Sequence, residues 1–145
     1  MSMGDNLPKY FVLVFLAAGL GLGVWQFAGP GGSTTGYTVD VKVPKLSAAG
    51  TTGKTDFDAN CAACHGVNAA GTDAGPPLVH EIYNPGHHSD DSFFIAAKLG
   101  VPQHHWRYGA MPPLPHVTKR QLTAIVQYVR ELQTANGIGY RPHRM

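Results

Sequence analysis

Residues 61–65 read Cys61-Ala62-Ala63-Cys64-His65, and the reading of this pentapeptide decides the fold. Two thiols three positions apart, followed at once by an imidazole, have three chemical readings. The first is attachment of a c-type haem. Thiols on one helical turn add to the two vinyl groups of a single macrocycle, and the next residue sets an imidazole under the iron. The second is a thioredoxin-like redox pair, which wants a βαβ setting that the flanking sequence lacks. The third is half of a zinc site, which needs further ligands. These are the only two cysteines in the chain, although it has 8 histidines.

Working outward, Gly53, Phe57 and Cys61 recur every four residues, which places them on one face of a helix that leads into the motif. Beyond it the chain passes through Gly71 and Gly75-Pro76-Pro77-Leu78. A helix is predicted over 89–99, with Ser89 or Asp90 as its cap, Asp91 in its first turn, and Gly100 and Pro102 as its stop. Gly109-Ala110-Met111-Pro112-Pro113 follows. The stretch 118–133, TKRQLTAIVQYVRELQ, then reads as an amphipathic helix that ends by Gly137. Thr118 and Gln121 form a capping box. Leu122, Ile125, Val126, Val129 and Leu132 share one face, and Lys119, Arg120, Gln127 and Arg130 lie elsewhere.

C-x-x-C-H, then G-A-M-P-P, then a Tyr-bearing terminal helix resembles a class I c-type cytochrome, a small mono-haem electron carrier, over residues 53–132. The resemblance implies an all-α fold around one covalent haem c. Cys61 and Cys64 would carry the thioethers, His65 would be the proximal iron ligand, and Met111 the sixth ligand. A thioether is a soft donor that favours ferrous iron and raises the potential. His104, His105 and His116 compete with Met111 for the sixth position. The resemblance makes the Pro76 carbonyl the acceptor for the proximal imidazole, with Pro77 as the alternative one residue on. Leu78, Phe93 or Phe94, and Leu99 would pack on the macrocycle. Trp106 and Arg107 are donors suited to a propionate. Gly53 and Phe57 would meet Tyr128 where the first and last helices cross.

Composition bounds the rest. A chain of 145 residues excludes a large multidomain enzyme, and a net charge of +2 carries no nucleic-acid footprint. Only 14% of residues are charged, against about 25% in soluble proteins. The apolar residues concentrate at 10–28, YFVLVFLAAGLGLGVWQFA, which holds no charge and has aromatics at both ends. Such a run crosses a hydrocarbon core of roughly 30 Å as a helix. An uncleaved anchor, a cleaved signal peptide and a buried helix are the competing readings. The n-region offers only Lys9, offset by Asp5, and no A-x-A site follows. The organisation expected is therefore an anchor or uncleaved signal over 1–28, a Gly/Ser/Thr/Pro-rich linker over 29–52, a haem domain over 53–137, and a basic tail over 138–145. Within the linker, Tyr37, Val39, Val41 and Val43 alternate at strand period until Pro44, and this stretch reads as an extended tether that lies on the domain surface.

No Ser-His-Asp, paired-carboxylate or phosphate-loop constellation is present, so neither an enzyme nor a small-molecule substrate is expected. The resemblance implies one-electron transfer with membrane redox complexes as donor and acceptor, and haem attachment outside the cytoplasm. The expected setting is the cytoplasmic membrane, spanned once by the N-terminal helix, with the haem domain in the periplasm. A soluble periplasmic form after cleavage is the alternative. Two further readings stand beside the mobile carrier. One is a fixed haem subunit of a membrane oxidoreductase. The other is an added metal-binding role for His87-His88 and His104-His105, since imidazole suits copper and zinc. A pH-sensitive rim, or plain loop and capping histidines, also account for these pairs.

Overall fold

The computed structural model describes residues 36–142, together with residues 12, 14–16 and 19. The chain divides into two units, 1–34 and 35–145. In the first, the five described residues are helical, and Val12, Val14, Phe15 and Leu16 are exposed. The rest of the expected span over 10–28 lies outside the described residues. Among the described residues, no helix is long and apolar enough to cross a membrane.

The second unit is helical, with one isolated antiparallel bridge, Val101 to Met111. Its helices are α1 (Ala48–Asn60), α2 (Ala62–His65), α3 (Asp90–Leu99) and α4 (Lys119–Ala135), with 3-10 turns at Val67–Ala69 and Glu81–Tyr83. This is the all-α architecture expected from the sequence.

By propensity α1 is a poor helix, rich in Thr and Gly. Packing makes it one. A Cβ at Gly53 would stand 1.9 Å from the Ala124 carbonyl oxygen and 2.9 Å from Tyr128 Cβ, so glycine here is what lets α1 lie on α4. Phe57 meets Tyr128 at 5.5 Å between ring centroids, and both side chains are fully buried. Burial of such side chains contributes about 1.5–3 kcal/mol each. The helix starts at Ala48 rather than at Gly53. Ser47 is its N-cap and accepts from Gly50 N–H at 3.0 Å. Glu131 of α4 in turn accepts from the Ser47 hydroxyl at 2.6 Å and its N–H at 3.0 Å.

The capping box at Thr118 and Gln121 is formed as expected, and Ile125, Val126, Tyr128, Val129 and Leu132 make the buried face of α4. Ser89 occupies the N-cap of α3 but makes no side-chain cap bond. Asp90 and Asp91 fill the first turn, and Gly100, at φ 75°, ends the helix as expected.

The linker reading is corrected over its second half. Val39, Val41 and Leu46 pack on the core, and Val39 N–H donates to the Ala70 carbonyl at 2.9 Å. The alternating apolar side chains that resembled an unpaired strand have a helical core to cover. The tail also begins inside the fold. Ile138 is buried, and Arg141 pairs with Glu81 at 2.7 Å.

Candidate functional site

A cavity of about 350 Å³ opens in the second unit, lined mainly by apolar side chains. Cys61, Cys64, His65, Pro76 and Leu78 form one wall. Phe93, Ala96 and Ala97 of α3, with Val101, Trp106 and Met111 beyond it, form another, and Leu122 and Ile125 of α4 lie beneath.

The first wall is a folded loop locked onto α2. Cys61 caps α1 through its N–H to the Phe57 carbonyl (2.8 Å), and its own carbonyl receives His65 N–H (2.9 Å). Gly66 leaves the helix at φ 78°. A Cβ there would be 2.3 Å from the Gly71 carbonyl oxygen, so the turn takes only glycine. His65 Nδ1 donates to the Pro76 carbonyl at 2.9 Å, which settles Pro76 over Pro77 as the acceptor and leaves the lone pair on Nε2. Burial holds the His65 pKa below its ordinary value, against the opposing pull of that bond. The direction favours the neutral ring, the form that carries a lone pair.

The thiols behave differently from a redox pair. Burial, and then the neighbouring Cys64, push the Cys61 thiol up to about 11. A thioredoxin-like pair needs a depressed thiol pKa. Nor do the cysteines join a zinc cluster. Among the described residues, the one grouping of metal-capable side chains is His87, His88 and His105.

The wall that carries Met111 is held by backbone. Val101 and Met111 exchange both N–H···O=C bonds at 2.9 Å, and Leu114 N–H donates to the Ala97 carbonyl at 2.7 Å. A Cβ at Gly100 would lie 2.6 Å from the Met111 carbonyl oxygen, so the loop closes directly onto the end of α3. Of the competing sixth ligands, His116 is exposed and outside the lining. His104 and His105 border the cavity, but their rings pack with each other and with those of His87 and His88.

These residues fit a haem. Two thiols, a neutral imidazole and a thioether line one apolar chamber, and Trp106 Nε1 is buried with no hydrogen-bond partner among the described residues. An orphaned indole N–H inside a cavity wants an acceptor, and a propionate carboxylate is one. The Tyr83 hydroxyl, pushed up to about 12 chiefly by burial, is close enough for the indole to pull slightly the other way. It does not reach hydrogen-bonding geometry.

Two expected contacts are corrected. Phe94 and Leu99 are outside the lining, and Leu99 is 69% exposed. With 3.6 residues per turn, Phe93, Ala96 and Ala97 face the cavity together, while Phe94 and Leu99 fall roughly 100° and 120° round the helix from Phe93. Arg107 is exposed and does not line the cavity.

Other contributors were missed. Tyr37 stacks on Trp106 at 5.4 Å, and its N–H donates to the Tyr108 hydroxyl at 2.7 Å. The supposed tether therefore braces the indole. Arg130, read as part of a polar face, donates to Asp90 (2.8 Å) and to the carbonyls of Tyr83 (2.8 Å) and His88 (2.6 Å), and so clamps the 83–90 loop. The alternation at 37–43 was the available signal for Tyr37. Arg130 had none, because the loop it clamps, through Asp90 and the carbonyls of Tyr83 and His88, lies far along the chain.

Residues 50–133 match the family model described as Cytochrome c. No curated protein and no solved structure matches the chain.

Proposed function

This chain belongs to the cytochrome c family, whose cofactor is covalently attached haem c, and from that premise we propose that it is a membrane-tethered one-electron carrier without enzymatic activity of its own. The observation that carries this is that two side chains able to hold a haem iron line one cavity: His65, fixed through Pro76, and Met111, fixed through Val101.

Bound haem c supplies a ferric/ferrous couple. His65 and Met111 are the residues that would hold its iron, and with both donors engaged neither oxygen nor a substrate would find an open position. A thioether donor such as Met111 would favour the ferrous form. Apolar side chains on α3 and α4 would exclude water from the cavity, and the Trp106 indole N–H would hold a propionate. The Pro76 carbonyl fixes the His65 ring and the backbone pair with Val101 fixes Met111, so both donors are held in place before the cofactor is bound.

The apolar run at 10–28 supports a single membrane span, and haem attachment outside the cytoplasm, as the family resemblance implies, supports a haem domain on the periplasmic side. Such a leash raises the effective concentration of the domain near membrane donor and acceptor complexes. Lys119 and Arg120 are exposed at the start of α4 and suit acidic partners.

Fractionation of cells that attach haem c tests this reading. The full-length haem-bearing chain should stay with salt-washed membranes and, in detergent, run as a single chain. A haem protein found only in the soluble fraction would remove the tether. Stable co-elution with other subunits would make it a fixed component instead.

A further inference from the structure

We propose that His87, His88 and His105 form a second metal site, which binds one divalent cation of the zinc and copper class at the rim of the haem cavity. Their ligand nitrogens all lie within 4.8 Å of one another. His87 Nε2 and His105 Nε2 share a hydrogen bond at 3.2 Å, and a cation would take the place of the proton between them. Tetrahedral zinc with Zn–N of about 2.0–2.1 Å needs ligand nitrogens about 3.4 Å apart. That pair is already at the required spacing, and a small side-chain rotation brings in the third.

The rings are prepared as ligands. His88 Nδ1 donates to the Ile82 carbonyl at 2.7 Å, which leaves a lone pair on Nε2. His104, whose ring packs 4.3 Å from that of His105, is set the same way by the Pro102 carbonyl at 2.9 Å. A carbonyl on the far nitrogen is the arrangement by which proteins fix the tautomer of metal-binding histidines. Contrast His80, whose Nδ1 accepts from Ile82 N–H at 3.2 Å and serves as an ordinary cap.

The loops that carry these rings are also anchored. The Asn84 carbonyl receives His87 N–H (3.0 Å) and His88 N–H (2.9 Å), Asn84 itself is buried, and Arg130 holds the His88 carbonyl. His105 is exposed, so a cation can enter from solvent. An all-imidazole donor set suits zinc and copper and not magnesium.

Calorimetric titration of the tag-free holoprotein with Zn²⁺, Cu²⁺ and Mg²⁺, each alone, is the test. One equivalent of Zn²⁺ or Cu²⁺ should bind saturably, with Cu²⁺ the tighter, and Mg²⁺ should not. The double variant His88→Ala/His105→Ala should bind at least tenfold more weakly, and His116→Ala should be unchanged. If the double variant fails to retain haem, His105→Ala alone serves, because its ring is exposed. Absence of saturable Zn²⁺ and Cu²⁺ binding, or equal binding by the variants, would overturn the site. The haem spectrum reports separately on the fold and the carrier reading.

Discussion

At the scale of single residues, the cavity is defined by what main-chain atoms do to side chains. Pro76 fixes the His65 tautomer, Val101 fixes Met111, and Trp106 is left with an unpartnered N–H. Hydrogen bonds to charged groups contribute about 1.5–3 kcal/mol. Trp106→Phe keeps the aromatic body and removes the donor. The propionate charge then acts more fully on the iron, so the midpoint potential should fall while the haem spectrum stays unchanged. An unchanged potential in spectroelectrochemistry would show that the indole does not serve the propionate. Cys61, Cys64, His65, Pro76 and Met111 were legible because each belongs to a short contiguous motif. Phe94 and Leu99 were misplaced because a helix of mixed apolar residues does not announce its phase. Phe93 and Phe94 are equally apolar, and only the tertiary contacts separate them.

At the scale of elements, the crossing of α1 on α4 carries the fold. Gly53→Ala drives a methyl into the Ala124 carbonyl, a backbone atom that cannot turn aside. Overpacking typically costs about 1–3 kcal/mol, and this site should sit at or above the upper end. Thermal unfolding of the holoprotein should show a clear loss of Tm, and a change within error would contradict the close approach. Glu131 contributes at the other end of the same crossing. The Ser47 hydroxyl, with help from the Gln127 amide and the Ser47 N–H and against slight burial, holds its carboxyl below the usual carboxylate range. A depressed folded pKa means that the stabilisation is fully present above the unfolded value and is lost as pH falls through the folded one. Glu131→Gln should therefore be the less stable protein near neutral pH, by a modest amount because the group is partly solvated, and the two Tm curves should converge in acid. A constant gap down to the lowest pH would exclude the linkage. The capping box was readable from spacing, and the crossing glycine was implied by the family resemblance. The true start of α1 was not, because Ser47 caps it with support from Glu131, a residue distant in the chain.

At the scale of the whole molecule, the buried apolar set is small. Phe57, Tyr128, Val129 and Leu132 form its centre, and the cavity beside them occupies space that a larger protein would fill with side chains. The macrocycle therefore completes the core as well as performing the redox chemistry. Cys61→Ser/Cys64→Ser, which cannot retain a covalent haem, should lose much of its far-ultraviolet helical signal. Full helicity without haem would show that the side chains suffice. Six of the 8 histidines that stood apart in the composition divide by position. His65 lines the haem cavity, His80 is a cap, and His87, His88, His104 and His105 cluster at the rim. Loop pairing of this kind was invisible in sequence because 87–88 and 104–105 are brought together only by the fold of α3.

The central claim is a haem c held between His65 and Met111, and the ferric absorption spectrum tests it most directly. The account predicts a low-spin spectrum with the weak far-red band of thioether-ligated ferric haem, present in the intact holoprotein and absent in Met111→Ala. A high-spin ferric spectrum in the intact protein, or a far-red band that survives Met111→Ala, would contradict it.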